Sequence, residues 1–136
     1  MMYDFLVIGA TGIQGRIATK DLLKSGYSVM LAGRDKSRIG YILKEHKTDF
    51  IYLDLRDRQN ISSVIKKSGA KIVLNCAEGD FNLDVSKICA KMGVNYLDLG
   101  SVDWMTAGQF KLDKKLRKKG VTLITGCGST PGIVSV

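Results

Sequence analysis

The chain is poor in the residues that build metal centres, disulfide frameworks and membrane spans. Its 136 residues include one histidine, one proline and three cysteines. Cys76, Cys89 and Cys127 lie far apart and form no C-x-x-C pair, so we predict reduced thiols in a cytoplasmic protein without a metal site. No apolar run approaches the roughly 20 residues of a transmembrane helix. We also expect no cleaved leader, because Met1 to Asp4 precede the first apolar segment without a basic region.

Acidic residues are fewer than basic ones, 13 against 21, which gives a formal net charge of +8. Much of the excess lies in one predicted helix and at its end, where cations interact favourably with the helix dipole. We interpret this run as a solvated helix face. The alternative, a site for a polyanion, lacks interleaved aromatic residues and any helix-turn-helix pattern, so we predict no nucleic-acid partner. The basic residues concerned are Lys111, Lys114, Lys115, Arg117, Lys118 and Lys119.

Apolar strands and amphipathic helices alternate along the whole chain. This alternation predicts an α/β fold with a doubly wound, parallel six-stranded sheet in the order 3-2-1-4-5-6, the Rossmann arrangement, with helices on both faces. We expect residues 1–136 to form one domain, helix 13–25 to bury Ile13 and Ile17, and strand 71–75 to be apolar on both faces. The predicted strands are 3–9, 28–32, 50–53, 71–75, 95–99 and 121–125, and the predicted helices are 13–25, 35–46, 58–67, 81–92 and 104–119.

The first strand leads directly into a glycine-rich turn that opens a helix. Gly9 permits the tight turn, Gly12 lets the backbone approach a phosphate, and Gly15 lets helix and strand pack closely. The amides at the helix start would then face the pyrophosphate of a dinucleotide. The spacing G-x-x-G-x-x-G also occurs in ordinary glycine turns, but its place after the first strand favours the nucleotide site. The other turn residues that we assign to this site are Thr11, Ile13 and Gln14.

The end of the second predicted strand indicates which dinucleotide binds. An NAD site has an acidic residue there for the ribose 2′-hydroxyl, whereas this chain reads Gly33, Arg34, Asp35. Gly33 leaves room for a 2′-phosphate and Arg34 offers it a planar set of donors, with Lys36 and Arg38 adding positive charge. We therefore favour NADP over NAD. In the alternative, Asp35 caps its helix or reaches the ribose itself, and Arg34 is simply exposed.

Two further strand ends contribute candidate residues. Asp54 can accept from the adenine amino group with Leu55 beside the ring, although it can equally cap the turn into the next helix. Asn75, Cys76 and Ala77 end the fourth strand, where the cofactor's ribose and nicotinamide half should lie. We interpret Cys76 as a packing residue rather than a nucleophile, because no histidine is near it in the sequence.

These motifs together resemble the saccharopine dehydrogenase/reductase family, over all 136 residues but only over that family's N-terminal NADP-binding domain. Two departures lie on the substrate side: Thr130 precedes Pro131 where saccharopine reductases have Asp, and Glu78-Gly79-Asp80 replaces a frequent Gly-Pro. The motifs that carry the resemblance are Gly9-Ala-Thr-Gly-Ile-Gln-Gly15, Ala32-Gly-Arg34, Leu53-Asp-Leu55, Asn75-Cys-Ala77, Tyr96-Leu-Asp98 and Gly128-Ser-Thr-Pro-Gly132.

The resemblance implies an NADP(H)-binding domain of an oxidoreductase that acts on an imine or amino-acid-type substrate. It further implies a longer chain whose second domain binds substrate and forms a homodimer, so this fragment alone is expected to be inactive. Asp98 matches the family's Tyr-x-Asp and is a catalytic candidate, facing the nicotinamide or substrate. Its alternative role is to cap the turn that follows the fifth strand.

A second hypothesis belongs to a different class of function. A dinucleotide-sensing regulatory module of the NmrA-like kind would have the same glycine turn and no catalysis. A short-chain reductase is disfavoured, because no tyrosine in the chain is followed four residues later by lysine.

Overall fold

Six short apolar segments pair as parallel strands in the computed structural model, which describes residues 2–100 and 102–128. The strand order is β3-β2-β1-β4-β5-β6, which confirms the predicted doubly wound sheet. Ile8 at the end of β1 pairs with Ala32 of β2 and with Asn75 of β4, so the carboxyl ends of these strands are level. The strands are β1 (Phe5–Ile8), β2 (Val29–Gly33), β3 (Asp49–Tyr52), β4 (Ile72–Asn75), β5 (Asn95–Asp98) and β6 (Leu123–Ile124).

Short helices connect the strands, and two of them differ from the prediction. The helix expected over 35–46 begins as a 3-10 turn, Lys36–Ile39. The helix expected over 104–119 is divided in two, because the Leu112 amide donates to Gln109 rather than to a residue four positions back. This bend lets both halves bury residues, Met105 and Gln109 in the first and Leu116 in the second. The helices are α1 (Ile13–Lys24), α2 (Gly40–His46), α3 (Arg58–Ser68), α4 (Asn82–Met92), α5 (Asp103–Phe110) and α6 (Asp113–Lys119).

Apolar side chains form one core on each face of the sheet. On one face, residues of α3 and α4 such as Ile61 and Val85 pack with Leu6, Val73 and Tyr96 of the strands. On the other face, a second cluster joins strand residues to the segments that flank β2, and its buried members are Phe5, Val7, Ala10, Val29, Leu31, Ile39 and Ile42. Helices therefore lie on both faces, as predicted. Within residues 2–100 and 102–128, no helix has the length and apolar character to cross a membrane.

Helix α1 packs on the sheet through the small residues Gly15 and Thr19, with Leu22 and Leu23 partly buried against the core, and not through its isoleucines. The prediction that Ile13 and Ile17 are buried is wrong, since they are 68% and 61% exposed, whereas Gly15 and Thr19 are buried. A Cβ at Gly15 would lie 2.1 Å from the Gly9 carbonyl oxygen, so backbone contacts backbone along this line. Positions two residues away are rotated by about 200° around a helix. The isoleucines therefore point away from the sheet.

The two faces of β4 are covered unequally. Val73 and Asn75 are fully buried against the α3 and α4 side, whereas Ile72 and Leu74 on the opposite face are only half-buried. The sequence predicts burial on both faces, and the structure shows burial on one face and partial cover on the other. The same alternation continues in β5, where Tyr96 is buried and Leu97 is half-buried.

The contact of α1 with the first turn predicts a large effect of one added methyl group. We expect Gly15→Ala to lower the free energy of unfolding by about 3 kcal/mol, because the new Cβ would overlap the backbone of Gly9 and Ala10. Gly40→Ala is the matched control, since Gly40 has helical dihedral angles and nothing within 4 Å of an added Cβ. It should be neutral or stabilising by about 0.5 kcal/mol. Urea unfolding of the three proteins measures both values, and equal stabilities would contradict the packing argument.

Candidate functional site

A cleft of about 460 Å³ lies at the carboxyl ends of β1 to β4, where the order of strands reverses between β1 and β4. Ligands of open parallel sheets bind at this position. The structure brings together nine of the residues predicted for the site: Gly9, Thr11, Gly12, Gly33, Arg34, Asp54, Leu55, Cys76 and Ala77. Arg38, which was expected to add positive charge, also lines the cleft, and the structure adds five lining residues that were not assigned to the site: Ile8, Leu53, Arg56, Glu78 and Phe81.

The glycine turn forms the floor of this cleft. Gly9 has φ +74°, a value that strongly favours glycine, and a Cβ there would lie 2.7 Å from the Ala77 nitrogen. The Gly12 amide donates to the Gly9 carbonyl at 2.9 Å, and Gly12 is the N-cap of α1, which has no side-chain capping hydrogen bond. The first amides of a helix have no acceptor within the helix. This end of α1 therefore fits an anionic group.

The glycine that ends β2 is required by a neighbouring threonine. A Cβ at Gly33 would lie 2.8 Å from the Thr11 Cγ2 atom, so the two residues pack in direct contact. The sequence predicts that Gly33 leaves room for a phosphate, and the structure adds this packing reason. Beyond it, Arg34 and Arg38 are both exposed and both line the cleft.

Asp35 lies next to this arginine but is engaged elsewhere. Its Oδ1 accepts from the Ser37 amide at 3.0 Å and from the Ser37 hydroxyl at 2.6 Å. These hydrogen bonds lower the pKa of Asp35, with the Ser37 hydroxyl making the largest contribution. The carboxylate caps the 3-10 turn Lys36–Ile39, which is the alternative considered from the sequence. Its contact with a ribose stays a prediction.

Asp54 carries a paired carboxylate at the cleft. Its Oδ1 accepts from the Arg56 backbone amide at 3.0 Å and from Nε of Arg56 at 2.9 Å. Its Oδ2 accepts from Nε at 3.1 Å and from Nη2 of the same arginine. The Arg56 side chain is the main cause that lowers the pKa of Asp54 to about 2. Asp54 is therefore ionised and fixed in one orientation at neutral pH.

A buried amide network fixes the end of β4. The Asn75 side chain accepts from the Ala77 amide at 3.2 Å and donates to Oδ1 of Asn82 at 2.9 Å. Asn82 in turn donates to the Gly100 carbonyl at 3.0 Å. Asn75 is fully buried and lies behind the cleft wall, so its place in the site is to hold the Cys76–Ala77 turn. Burial raises the pKa of the Cys76 thiol to about 12, which agrees with a packing role.

Asp98 lies inside the fold at the end of β5. It is fully buried, and its Oδ1 accepts from the Gly100 amide at 2.9 Å, the Thr125 hydroxyl at 2.6 Å and the Gly126 amide at 3.2 Å. Its Oδ2 accepts from Nε2 of Gln109 at 2.7 Å. This geometry matches the alternative role, a strand-end carboxylate that holds the following turn. A catalytic role for Asp98 stays a prediction.

The three remaining predicted residues lie at or beside the start of α1 without lining the cleft. Ile13 and Gln14 are exposed in the first turn of the helix, and Gly15 is buried against Gly9. The contribution of this turn to a nucleotide site therefore comes from its backbone. Direct contact of these side chains with a cofactor stays a prediction.

Comparison with known proteins identifies the domain. The sequence model described as "Saccharopine dehydrogenase NADP binding domain" matches residues 5–124. The chain belongs to this family. A curated relative, carboxyaminopropylagmatine dehydrogenase from Synechocystis, is 23% identical over 145 residues, covering 99% of this chain and 36% of that protein. The chain therefore spans about a third of this relative's length.

Solved structures show the same fold. Saccharopine dehydrogenase (L-Glu forming) from Saccharomyces cerevisiae matches with a TM-score of 0.79 and 19% identity, over 97% of this chain and 28% of that chain. A short-chain dehydrogenase/reductase from Vibrio parahaemolyticus matches with a TM-score of 0.73 and 17% identity, over 89% of this chain and 82% of that chain. The cofactor implied by the family is NADP. The start of α1 and the arginines beyond β2 carry groups that fit its phosphates.

Sequence reasoning missed Arg56 as part of the site, although a signal for it was present. An arginine two residues after an aspartate at a strand end can fold back onto that carboxylate, and here it does. Phe81, which the sequence pattern predicts to be a core residue, does pack against the core and also lines the cleft. The motif Gly128–Gly132 extends beyond the described residues, so Thr130 and Pro131 lie outside the structural account.

The contacts of Asp98 predict a structural effect that can be measured without any ligand. Both Asp98 oxygens accept hydrogen bonds, and asparagine would replace one of them by an NH2 group that faces another donor. We therefore expect Asp98→Asn to lower the free energy of unfolding by about 2 kcal/mol. Asp80→Asn, at an exposed carboxylate, should change the stability by less than about 0.5 kcal/mol. Thermal and urea unfolding test this, and an unchanged Asp98→Asn protein would show that the carboxylate does not hold the fold.

Proposed function

We propose that the chain supplies the NADP(H) site of an oxidoreductase that acts on an imine or amino-acid-type substrate. The observation that carries the proposal is the pair of arginines, Arg34 and Arg38, at the cleft just beyond β2. The one carboxylate beside Arg34 in the sequence, Asp35, is turned toward Ser37. This end of the cleft therefore presents cationic donors, which favours a 2′-phosphate over a 2′-hydroxyl.

We assign the other cleft residues to different parts of the cofactor. In this proposal the backbone at the start of α1 binds the pyrophosphate, and Asp54 and Leu55, which line the cleft, contact the adenine ring. The small residues Cys76 and Ala77 permit close approach of the nicotinamide half at the end of β4. When bound, the cofactor supplies the hydride. The protein residues position it and exclude water from one side.

The names of two relatives support the substrate class. One is named for carboxyaminopropylagmatine and another is a saccharopine dehydrogenase that forms L-Glu. Both names point to substrates with amino and carboxyl groups. We therefore propose that the complete enzyme joins or separates an amine and a carbonyl compound through a C–N bond. A second domain would bind the substrate, and a homodimer is the proposed assembly.

Nucleotide titration tests the cofactor part of the proposal. We expect calorimetry to show that the 136-residue chain binds NADPH at least about tenfold more tightly than NADH. Arg34→Ala should remove most of this preference, because the guanidinium is the group that distinguishes the two ligands. Lys44→Ala is the control, since it removes the same charge from an exposed residue of α2 that does not line the cleft. An NADH preference, or equal effects of the two substitutions, would contradict the assignment.

A turnover assay of the complete protein tests the reaction class. We expect NADPH oxidation, followed by its absorbance in the near ultraviolet, only when an amino compound and a 2-oxo acid are both present, because the reduced bond is the C=N that they form. Oxidation with the carbonyl compound alone would indicate an alcohol-forming reductase. Tight NADPH binding without turnover on any such pair would support the dinucleotide-sensing alternative.

A further inference from the structure

We propose that Arg56 is a positioning residue of the nucleotide cleft, which holds the Asp54 carboxylate in place and cancels its charge so that a phosphorylated nucleotide can bind beside it. This inference rests on the proposed function, because it concerns how the same cleft accepts NADP(H). In this proposal Arg56 acts on Asp54 and does not contact the ligand directly.

The hydrogen bonds between Arg56 and Asp54 hold the carboxylate in one orientation. Three groups of Arg56, its backbone amide, Nε and Nη2, donate to the two oxygens of Asp54. A planar guanidinium that donates to both carboxylate oxygens fixes the rotation of the carboxylate. The Asp54 side chain is only 18% exposed, whereas that of Arg56 is 71% exposed. The arginine therefore covers the carboxylate from the solvent side.

The Asp54–Arg56 pair lies in the same cleft as two other arginines. Asp54 lines the same cleft as Arg34 and Arg38 and lies near enough for Arg34 to contribute to lowering its pKa. An uncompensated carboxylate at this place would repel a phosphate that Arg34 binds, and it would also compete for that arginine. With Arg56 as its partner, Asp54 keeps its oxygens for neutral donors such as an amino group, and Arg34 stays available for the phosphate.

A second arginine in the same segment, Arg58, differs from Arg56 in its partner and its position. Arg58, two residues further on, also pairs with a carboxylate, and its Nη2 donates to Asp84 at 2.7 Å. That pair joins α3 to α4 and does not line the cleft. The two arginines have the same charge and similar exposure, 71% and 73%, so they differ chiefly in which carboxylate they hold. Arg58 is therefore a matched control for Arg56.

The test compares nucleotide binding by single and double variants of the 136-residue chain. We expect Arg56→Gln to weaken NADPH binding about tenfold and NADH binding about twofold or less, because NADH lacks the group that Asp54 would repel. Arg58→Gln should change both affinities by less than about twofold. In the Asp54→Asn background, Arg56→Gln should have no further effect, since no charge remains to be cancelled. Equal thermal midpoints show that the variants are folded.

Two results would overturn the role of Arg56 while leaving the proposed function intact. If Arg56→Gln lost NADPH affinity to a similar extent with and without the Asp54→Asn substitution, Arg56 would contact the nucleotide directly. Equal effects of Arg56→Gln and Arg58→Gln would mean that only net charge matters. Failure of the unsubstituted chain to bind either nucleotide would instead overturn the proposed function and, with it, any role of Arg56 toward a ligand.

A ligand-free measurement examines the pair separately. NMR titration of the Asp54 carboxyl group should give a pKa of about 2 in the unsubstituted chain, and a higher pKa in Arg56→Gln, because the arginine side chain is the main cause of the lowering. A higher pKa in Arg56→Gln would show that the ion pair of the structure forms in solution. An unchanged value would therefore overturn the proposal without reference to any nucleotide.

Discussion

The contact between Gly15 and the backbone of Gly9 and Ala10 is the constraint on which the site depends. It brings α1 so close to the end of β1 that a methyl group at position 15 would overlap the Gly9 carbonyl. The same approach places Gly12, the residue that caps α1, at the cleft. On the other side of the turn, Gly9 itself lies against the Ala77 backbone. Three chain segments thus meet without side chains between them, and the space that remains is the cleft.

The polar side chains around this backbone framework form two groups, one buried and one exposed. Asn75, Asn82 and Asp98 are buried, and their hydrogen bonds fix the ends of β4 and β5 and the loops after them. Arg34 and Arg38, which line the cleft beyond β2, are charged and exposed. Buried polar groups are costly unless they are fully paired, so they suit a supporting role. The exposed charges are free to meet a ligand.

The strand order could be predicted from the sequence, because alternating strands and helices with right-handed connections leave few arrangements. The cleft residues at the ends of β1 to β4 followed from that order and from the glycine spacing. The outward direction of Ile13 and Ile17 could not be predicted in the same way, since apolar periodicity alone does not reveal a helix that packs through Gly15 and Thr19. The division between α5 and α6 also escaped prediction, because it depends on tertiary packing of both helices.

The same limit applies to individual carboxylates. A sequence shows that Asp35, Asp54 and Asp98 each follow a strand, but not which donors surround them. In the structure Asp35 binds Ser37, Asp54 binds Arg56, and Asp98 binds groups from two loops and from helix α5. The partly buried face of Ile72, Leu74 and Leu97 has a thermodynamic consequence. Because this apolar area already meets water in the folded domain, unfolding exposes less new surface, and both the heat-capacity increment and the denaturant m-value should be smaller than chain length alone implies.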